Sequence, residues 1–95
     1  MGIHSNKGIV VTGGSSGIGL GIVERFLSDG ATVVVADIKE PDMTSLVTKY
    51  PNKIFFSKVD VCDESLIRSS VELLLKHSER LDVMVNNAGI INVAG

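Results

Sequence analysis

A glycine-rich segment near the start of the chain, Thr12-Gly13-Gly14-Ser15-Ser16-Gly17-Ile18-Gly19, has the residue types and spacing needed to bind phosphate. It follows an apolar run and opens a helical pattern. Where a strand turns through glycines into a helix, backbone N–H groups lack intrahelical partners and the helix start carries partial positive charge. Gly13 permits the tight turn, whereas Gly17 and Gly19 let a pyrophosphate or the neighbouring strand approach the backbone closely. The segment therefore predicts a diphosphate site.

A carboxylate ends the next apolar run, at Asp37, eighteen positions after Gly19. In a dinucleotide-binding fold, an acid here lies beside the adenosine ribose. It can accept hydrogen bonds from both hydroxyl groups of the NAD ribose, and it repels the 2′-phosphate of NADP. No Arg or Lys lies in the glycine segment or directly after Asp37 to offset that repulsion, and Lys39 is one position late. NAD is therefore favoured over NADP, although Asp37 taken alone would be an ordinary turn residue.

Two later segments could complete such a site. Asp60 and Val61 follow the third apolar run, where the Asp could hydrogen-bond the adenine amino group and the Val could pack on its ring. Asp60 could equally cap the following helix. Asn87-Ala88-Gly89 places small residues where a ribose or a flat ring must pass close to backbone, although its residue types are also those of an ordinary turn.

Apolar runs alternate with helical patterns along the chain and must position these residues. The runs predict strands at residues 9–12, 32–36, 54–56 (continued by Val59) and 83–85. The first helix is expected to pack through Ile18, Ile22, Phe26 and Leu27 and to stop at Gly30. The second is expected to begin at Pro41 and to pack through Met43, Leu46, Val47 and Tyr50. The third, capped by Cys62 or Asp63, is expected to pack through Ile67, Val71, Leu74 and Leu75.

This βαβαβαβ order predicts an α/β fold with a parallel sheet and right-handed helical crossovers. The expected architecture is a Rossmann-like, doubly wound sheet, here truncated to about four strands in the order 3-2-1-4 and three helices. The first two helices would cover one face and the third the other. The reversal of winding opens a crevice above the carboxyl ends of strands 1 and 4, where the glycine segment and the Asn-Asn-Ala-Gly turn converge.

The glycine segment, Asp37, Asp60-Val61 and Asn86-Asn87-Ala88-Gly89 together resemble the amino-terminal part of the short-chain dehydrogenase/reductase family. They occur in the order and at roughly the spacing that the family uses, over nearly the whole chain. The resemblance implies binding of NAD or NADP, assembly into dimers or tetramers, and oxidation of alcohols or reduction of carbonyls.

The same resemblance implies a role for each candidate residue. Those that would surround the pyrophosphate are Gly13, Ser15, Ser16, Gly17, Ile18 and Gly19. Those that would hold the adenosine are Asp37 and Ile38 at the ribose and adenine side and Asp60 and Val61 at the adenine. Those that would flank the ribose units are Asn87, Ala88 and Gly89, while Asn86 would tie strand 4 to its neighbours.

The residues that the resemblance assigns to catalysis are an Asn, a Ser and a Tyr-x-x-x-Lys pair further along, and that set is not found here. The only tyrosine, Tyr50, is followed four positions later by Ile54, with Lys53 one place too early. We therefore expect residues 1–95 to be the cofactor-binding half-domain of an NAD-dependent short-chain oxidoreductase, without catalytic activity on its own. Other catalytic readings are disfavoured, because Cys62 has no paired histidine nearby and no Cys/His cluster has metal-binding spacing.

Composition limits the partners. The chain has 95 residues, enough for one small domain, and 44% of them are hydrophobic. A net charge of −2 argues against non-specific binding to nucleic acid or to an acidic membrane surface. We expect no transmembrane helix and no secretory signal. A single cysteine, Cys62, cannot form an internal disulfide and is typical of a reducing compartment, which predicts a cytoplasmic location.

The fourth predicted strand is the last in this sequence, so residues 83–85 are expected to form an exposed apolar edge. We expect the chain to self-associate, or to pair with a related full-length chain, through that edge. Two alternatives to the enzyme interpretation stay open: a non-catalytic interaction protein that acts through strand 4, and a sensor that binds the nucleotide without chemistry.

Overall fold

Four strands and three helices alternate along the part of the chain that the computed structural model describes, which is residues 7–13, 17–58, 64–79 and 81–86. In chain order they are β1 (Gly8–Thr12), α1 (Gly17–Ser28), β2 (Thr32–Asp37), α2 (Thr44–Lys49), β3 (Ile54–Lys58), α3 (Glu64–Leu75) and β4 (Val83–Asn86). The predicted alternation is confirmed, and the four strands begin within one residue of the expected positions.

All four strands form one parallel sheet in the order β3-β2-β1-β4, as predicted. At the carboxyl end of β1, Thr12 pairs with Ala36 of β2 on one side and with Asn86 of β4 on the other. Asp37, the last residue of β2, pairs with Lys58, the last residue of β3. The strand ends that carry the candidate site therefore lie along one edge of the sheet.

Apolar side chains cover both faces of the sheet, which explains the uninterrupted valine runs of the two central strands. One face buries Ile9, Val11, Val33 and Val35 against Val23 and Leu27 of α1, with Met43, Leu46 and Tyr50 from the α2 region. The opposite face buries Val10, Val34 and Ala36 against Leu74 of α3. Each fully buried valine stabilises the fold by about 1.5–3 kcal/mol. Helices on both faces make this a doubly wound α/β fold.

Three predicted packing residues are instead exposed. Ile18, in the first turn of α1, is 75% exposed, and Val23, which the periodicity missed, is buried in its place. Val47 of α2 and Leu75 of α3 are also exposed. An apolar residue can therefore fit the sequence period of a helix and still stand where the described part of the molecule does not cover it.

The second helix begins at Thr44, three residues later than predicted from Pro41. The carboxylate of Asp42 accepts a hydrogen bond of 3.1 Å from the Thr44 backbone N–H. This bond lowers the pKa of the Asp42 carboxyl below its ordinary value of 3.8. The residues after Pro41 therefore form a side-chain-stabilised turn before the helix begins.

At the amino-terminal ends of the strands, Asp82 joins the start of β4 to the start of β1. Its carboxylate accepts a hydrogen bond from the Gly8 N–H, at 2.8 Å, and its own N–H donates to the Gly8 carbonyl, also at 2.8 Å. These bonds start the pairing of β1 with β4 one residue before the first predicted strand position. Within the described ranges, no helix combines the length and apolar character needed to cross a bilayer.

Candidate functional site

The turn that leaves β1 is built around Gly13. Its φ of 69° lies in the left-handed region, where a side chain would be strained and glycine is not. The Gly13 N–H donates a hydrogen bond of 2.9 Å to the Ala36 carbonyl of β2. α1 then begins at Gly17, so the chain passes from strand to helix within four residues. This is the strand–turn–helix geometry that the glycine segment predicts.

Thr12 joins the turn to the opposite neighbour of β1. Its side chain is almost fully buried, and its hydroxyl donates a hydrogen bond of 3.2 Å to the Val85 carbonyl of β4. Together with the bond from Gly13 to Ala36, this fixes the end of β1 to both neighbouring strands. The position from which the turn begins is therefore rigidly defined.

Gly17 is exposed at the start of α1, and no described atom outside its own helical surroundings lies within 4 Å of the place where a Cβ would stand. Packing within the described residues therefore does not require glycine at this position. Gly21, one turn later, is equally open. The first turn of α1 contains no acidic residue, so its partial positive charge is not offset by a carboxylate of its own. An external anion can approach the backbone here.

Asp37 lies on the same side of the sheet as α1. Side chains alternate along a strand, so Asp37 shares its face with Val33 and Val35, which pack against α1. The carboxylate is half-buried and accepts a hydrogen bond of 2.7 Å from the Ile38 N–H. Asp37 also follows Ala36 directly, whose carbonyl is bonded by Gly13. One hydrogen bond thus couples the glycine turn to the acid.

Two apolar side chains near these groups are open to solvent. Ile18 in the first turn of α1 and Ile38 directly after Asp37 are both exposed. Exposed apolar side chains beside a helix start and an acid are suited to packing against the flat, apolar parts of a ligand.

Lys58 is a cationic residue at the carboxyl ends of the strands, near Asp37, that the sequence analysis did not predict. Neither the glycine segment nor the residue after Asp37 carries a base, but the pairing of β2 with β3 aligns Lys58 with Asp37. The predicted strands, at residues 32–36 and 54–56 with Val59 as a continuation, did not align these two residues, because the pattern gives no register.

The remaining titratable candidates lie away from this edge. Tyr50 packs against the α1-side core, with the Lys49 amine 5.5 Å from its ring centre. His77 stacks on Phe55 with ring centres 3.8 Å apart and lies with Thr32 and Lys53 near the opposite end of the sheet. Among the described residues, no group of three His, Cys, Asp or Glu side chains is arranged to hold a metal ion.

Comparison with known proteins decides the family. The sequence profile of the family described as short chain dehydrogenase matches residues 7–95. The chain belongs to the short-chain dehydrogenase/reductase family. Members of this family of oxidoreductases bind a nicotinamide dinucleotide.

Three relatives indicate the extent of the similarity. A 3beta-hydroxysteroid dehydrogenase 2 from Eggerthella lenta is 38% identical over 86 residues, covering 87% of this chain and 33% of the relative. A tropinone reductase-like 2 from Erythroxylum coca is 40% identical over 89 residues, covering 94% of this chain and 32% of the relative. The crystal structure of a short-chain dehydrogenase/reductase, glucose/ribitol dehydrogenase, from Brucella melitensis has a TM-score of 0.80 and 27% identity, covering 97% of this chain and 40% of that one. The chain thus spans about a third of the length of the curated relatives it matches.

Several predicted site residues of this short-chain dehydrogenase/reductase chain lie outside the described residues. They are Ser15, Ser16, Asp60, Val61, Asn87, Ala88 and Gly89. In the described part, Gly13 directly follows β1, Gly17, Ile18 and Gly19 form the start of α1, and Asp37 and Ile38 lie at the end of the neighbouring strand. Asn86 is the last residue of β4 and pairs with Thr12, next to the glycine turn.

Proposed function

We propose that this chain is an NAD-binding part of a short-chain oxidoreductase and that it prefers NAD to NADP. The observation that carries the proposal is the coupling of the Gly13 turn, through the Ala36 carbonyl, to Asp37 on the face of the sheet that α1 covers. Backbone amides and a helix start favour a diphosphate, and a nearby carboxylate favours a ribose with two free hydroxyl groups.

The residues present fit that cofactor. The open space at Gly17 differs from that at Gly21 in its position, because Gly17 begins α1, where the backbone N–H groups have no partners within the helix. When bound, NAD accepts a hydride from an alcohol, and NADH donates one to a carbonyl. The residues of this chain would bind and orient it: the glycine segment with Ser15 and Ser16 at the diphosphate, and Asp37 with Ile38 at the adenosine.

We further propose that Asp60 and Val61 contact the adenine, that Asn87, Ala88 and Gly89 flank the ribose units, and that these 95 residues do not catalyse hydride transfer by themselves. The sequence supports the last point, because Tyr50 lacks a lysine four positions later. The packing of the partly buried Tyr50 side chain against the core supports it as well.

The experiment compares two glycines of one helix by titration with NADH, followed by calorimetry and cofactor fluorescence. Gly17→Ala is expected to weaken binding by about tenfold or more, because a methyl group would hold the diphosphate away from the amides. Gly21→Ala is the matched control, since a Cβ is accommodated equally well there. Alanine favours helix at both positions, so neither variant is expected to lower stability.

Equal weakening by the two variants, or no NADH binding by the unsubstituted chain at millimolar concentration, would contradict the proposal. Complex formation with a related full-length chain would favour the other candidate function, an interaction protein that acts through β4. The observation behind that candidate is the position of β4 at one edge of the described sheet, with Met84 42% exposed.

A further inference from the structure

Asp37 and Lys58 are cross-strand neighbours at the carboxyl edge of the sheet. Paired strands lie about 4.8 Å apart, and laterally paired residues of a parallel sheet direct their side chains to the same face. That face is the one covered by α1, because Lys58 shares it with Ile54 and Phe56, which belong to the α1-side core. A carboxylate and an amine therefore share the region to which the proposed function assigns the adenosine ribose.

The amine of Lys58 is available to a ligand. Lys58 is exposed at the end of β3, which is an outer strand of the described sheet. Neither the Arg25–Asp29 nor the Lys49–Glu24 ion pair of the described residues includes Lys58.

Lys39 offers the useful contrast. It is also exposed and lies closer to Asp37 in sequence, but it follows the end of β2 and has no partner in the sheet. The register fixes the backbone of Lys58 relative to Asp37, whereas nothing in the sheet fixes that of Lys39.

We propose that Lys58 is a specificity-determining residue that partly offsets the repulsion between Asp37 and a 2′-phosphate. The inference rests on the proposed function and deepens it. Asp37 and Lys58 together set the preference for NAD over NADP, and this preference is smaller than Asp37 alone would produce. An ammonium group beside the ribose attracts the doubly charged phosphate of the phosphorylated cofactor more than it attracts a neutral hydroxyl. The Lys58 ammonium group is therefore expected to strengthen binding of the 2′-phosphorylated ligand and to have little effect on the unphosphorylated one.

The test uses ADP-ribose and 2′-phospho-ADP-ribose, which carry the adenosine end of the two cofactors and lack the nicotinamide. Their dissociation constants are measured by calorimetry for the full chain at low salt. Lys58→Met is expected to raise the ratio of the constants, phosphorylated over unphosphorylated, by roughly threefold to tenfold, as for removal of a partly screened charge. The dissociation constant for ADP-ribose itself is expected to stay within about twofold of that of the unsubstituted chain.

Two control variants test whether the effect depends on a positive charge at position 58 and not on any nearby positive charge. Lys58→Arg keeps the cation and is expected to keep the ratio, whereas Lys39→Met removes a nearby cation and is expected to leave the ratio unchanged. Thermal unfolding checks that each variant is folded. High salt is expected to reduce the effect of Lys58→Met, because exposed charges are screened.

Three results would overturn the inference. Lys58→Met could change both constants by one common factor, it could leave both unchanged, or Lys39→Met could change the ratio as much. Each of these leaves the proposed function intact, since ADP-ribose still binds. Failure of the unsubstituted chain to bind either ligand overturns the proposed function and this inference with it.

Discussion

Asp37 carries two separate tasks at the end of β2. Its carboxylate accepts a hydrogen bond from the Ile38 N–H, and the proposed function assigns the same carboxylate to a ribose. Charge-assisted hydrogen bonds of this kind are stronger than bonds between neutral groups, so much of the proposed selectivity depends on this one side chain.

Replacement of Asp37 by alanine is therefore expected to weaken NADH binding by about tenfold or more, through loss of charge-assisted hydrogen bonds. NADPH binding is expected to be unchanged or tighter, because the carboxylate no longer repels the 2′-phosphate and Lys58 is left beside it. Fluorescence titration with both cofactors measures the two effects. Glu40→Ala removes a nearby exposed acid and serves as the control. A parallel loss of NADH and NADPH binding by Asp37→Ala would argue against a selective role.

Residue-scale features were predictable from sequence when they depended on local chemistry. Gly13 at the turn and Asp37 at the strand end are examples, because each follows from the residues directly around it. Lys58 was not predicted, since it is aligned with Asp37 only through strand pairing across twenty-one positions. Ile18 was assigned both to the helix stripe and to the ligand, and its exposure excludes the first assignment.

At the scale of elements, the last two residues of α3 show that apolar residues in the predicted packing face of a helix are not all buried. Leu74 and Leu75 are adjacent apolar residues that the periodicity treats alike. Leu74 is fully buried against the sheet, whereas Leu75 is 47% exposed. Adjacent residues of a helix lie about 100° apart around its axis, so only one of this pair faces the sheet squarely, and the sequence period does not say which. The strands were predicted more sharply, since burial on both faces leaves a continuous apolar run.

Alanine substitution at these two positions tests the difference. Leu74→Ala is expected to lower the free energy of unfolding by about 2–5 kcal/mol, because it removes buried surface and leaves a cavity. Leu75→Ala is expected to change it by no more than about 0.5 kcal/mol. Urea unfolding followed by circular dichroism measures both, with the midpoint and slope fitted separately. Similar losses for the two variants would mean that Leu75 is covered in solution.

For the whole molecule, the strand order was predictable because few topologies satisfy a repeated βα pattern with right-handed crossovers. That order brings the glycine turn and Asp37 to one edge of the sheet, and it also determines which strands lie outermost. Among the described residues, these are β3 and β4. The sequence pattern did not distinguish these two outer strands. β3 ends in the exposed Lys58, whereas β4 exposes the apolar Met84.

An edge strand with an exposed apolar side chain favours association, and a lysine on such an edge opposes it. We therefore expect the chain to associate as its concentration rises, and Met84→Lys to shift that association to about tenfold higher concentration or beyond. Sedimentation velocity over a concentration series measures the shift. Val47→Lys is the matched control, because Val47 is as exposed as Met84 but lies on α2, away from the edge. A chain that stays monomeric at all concentrations, or an equal effect of the two lysines, would show that β4 is not the contact.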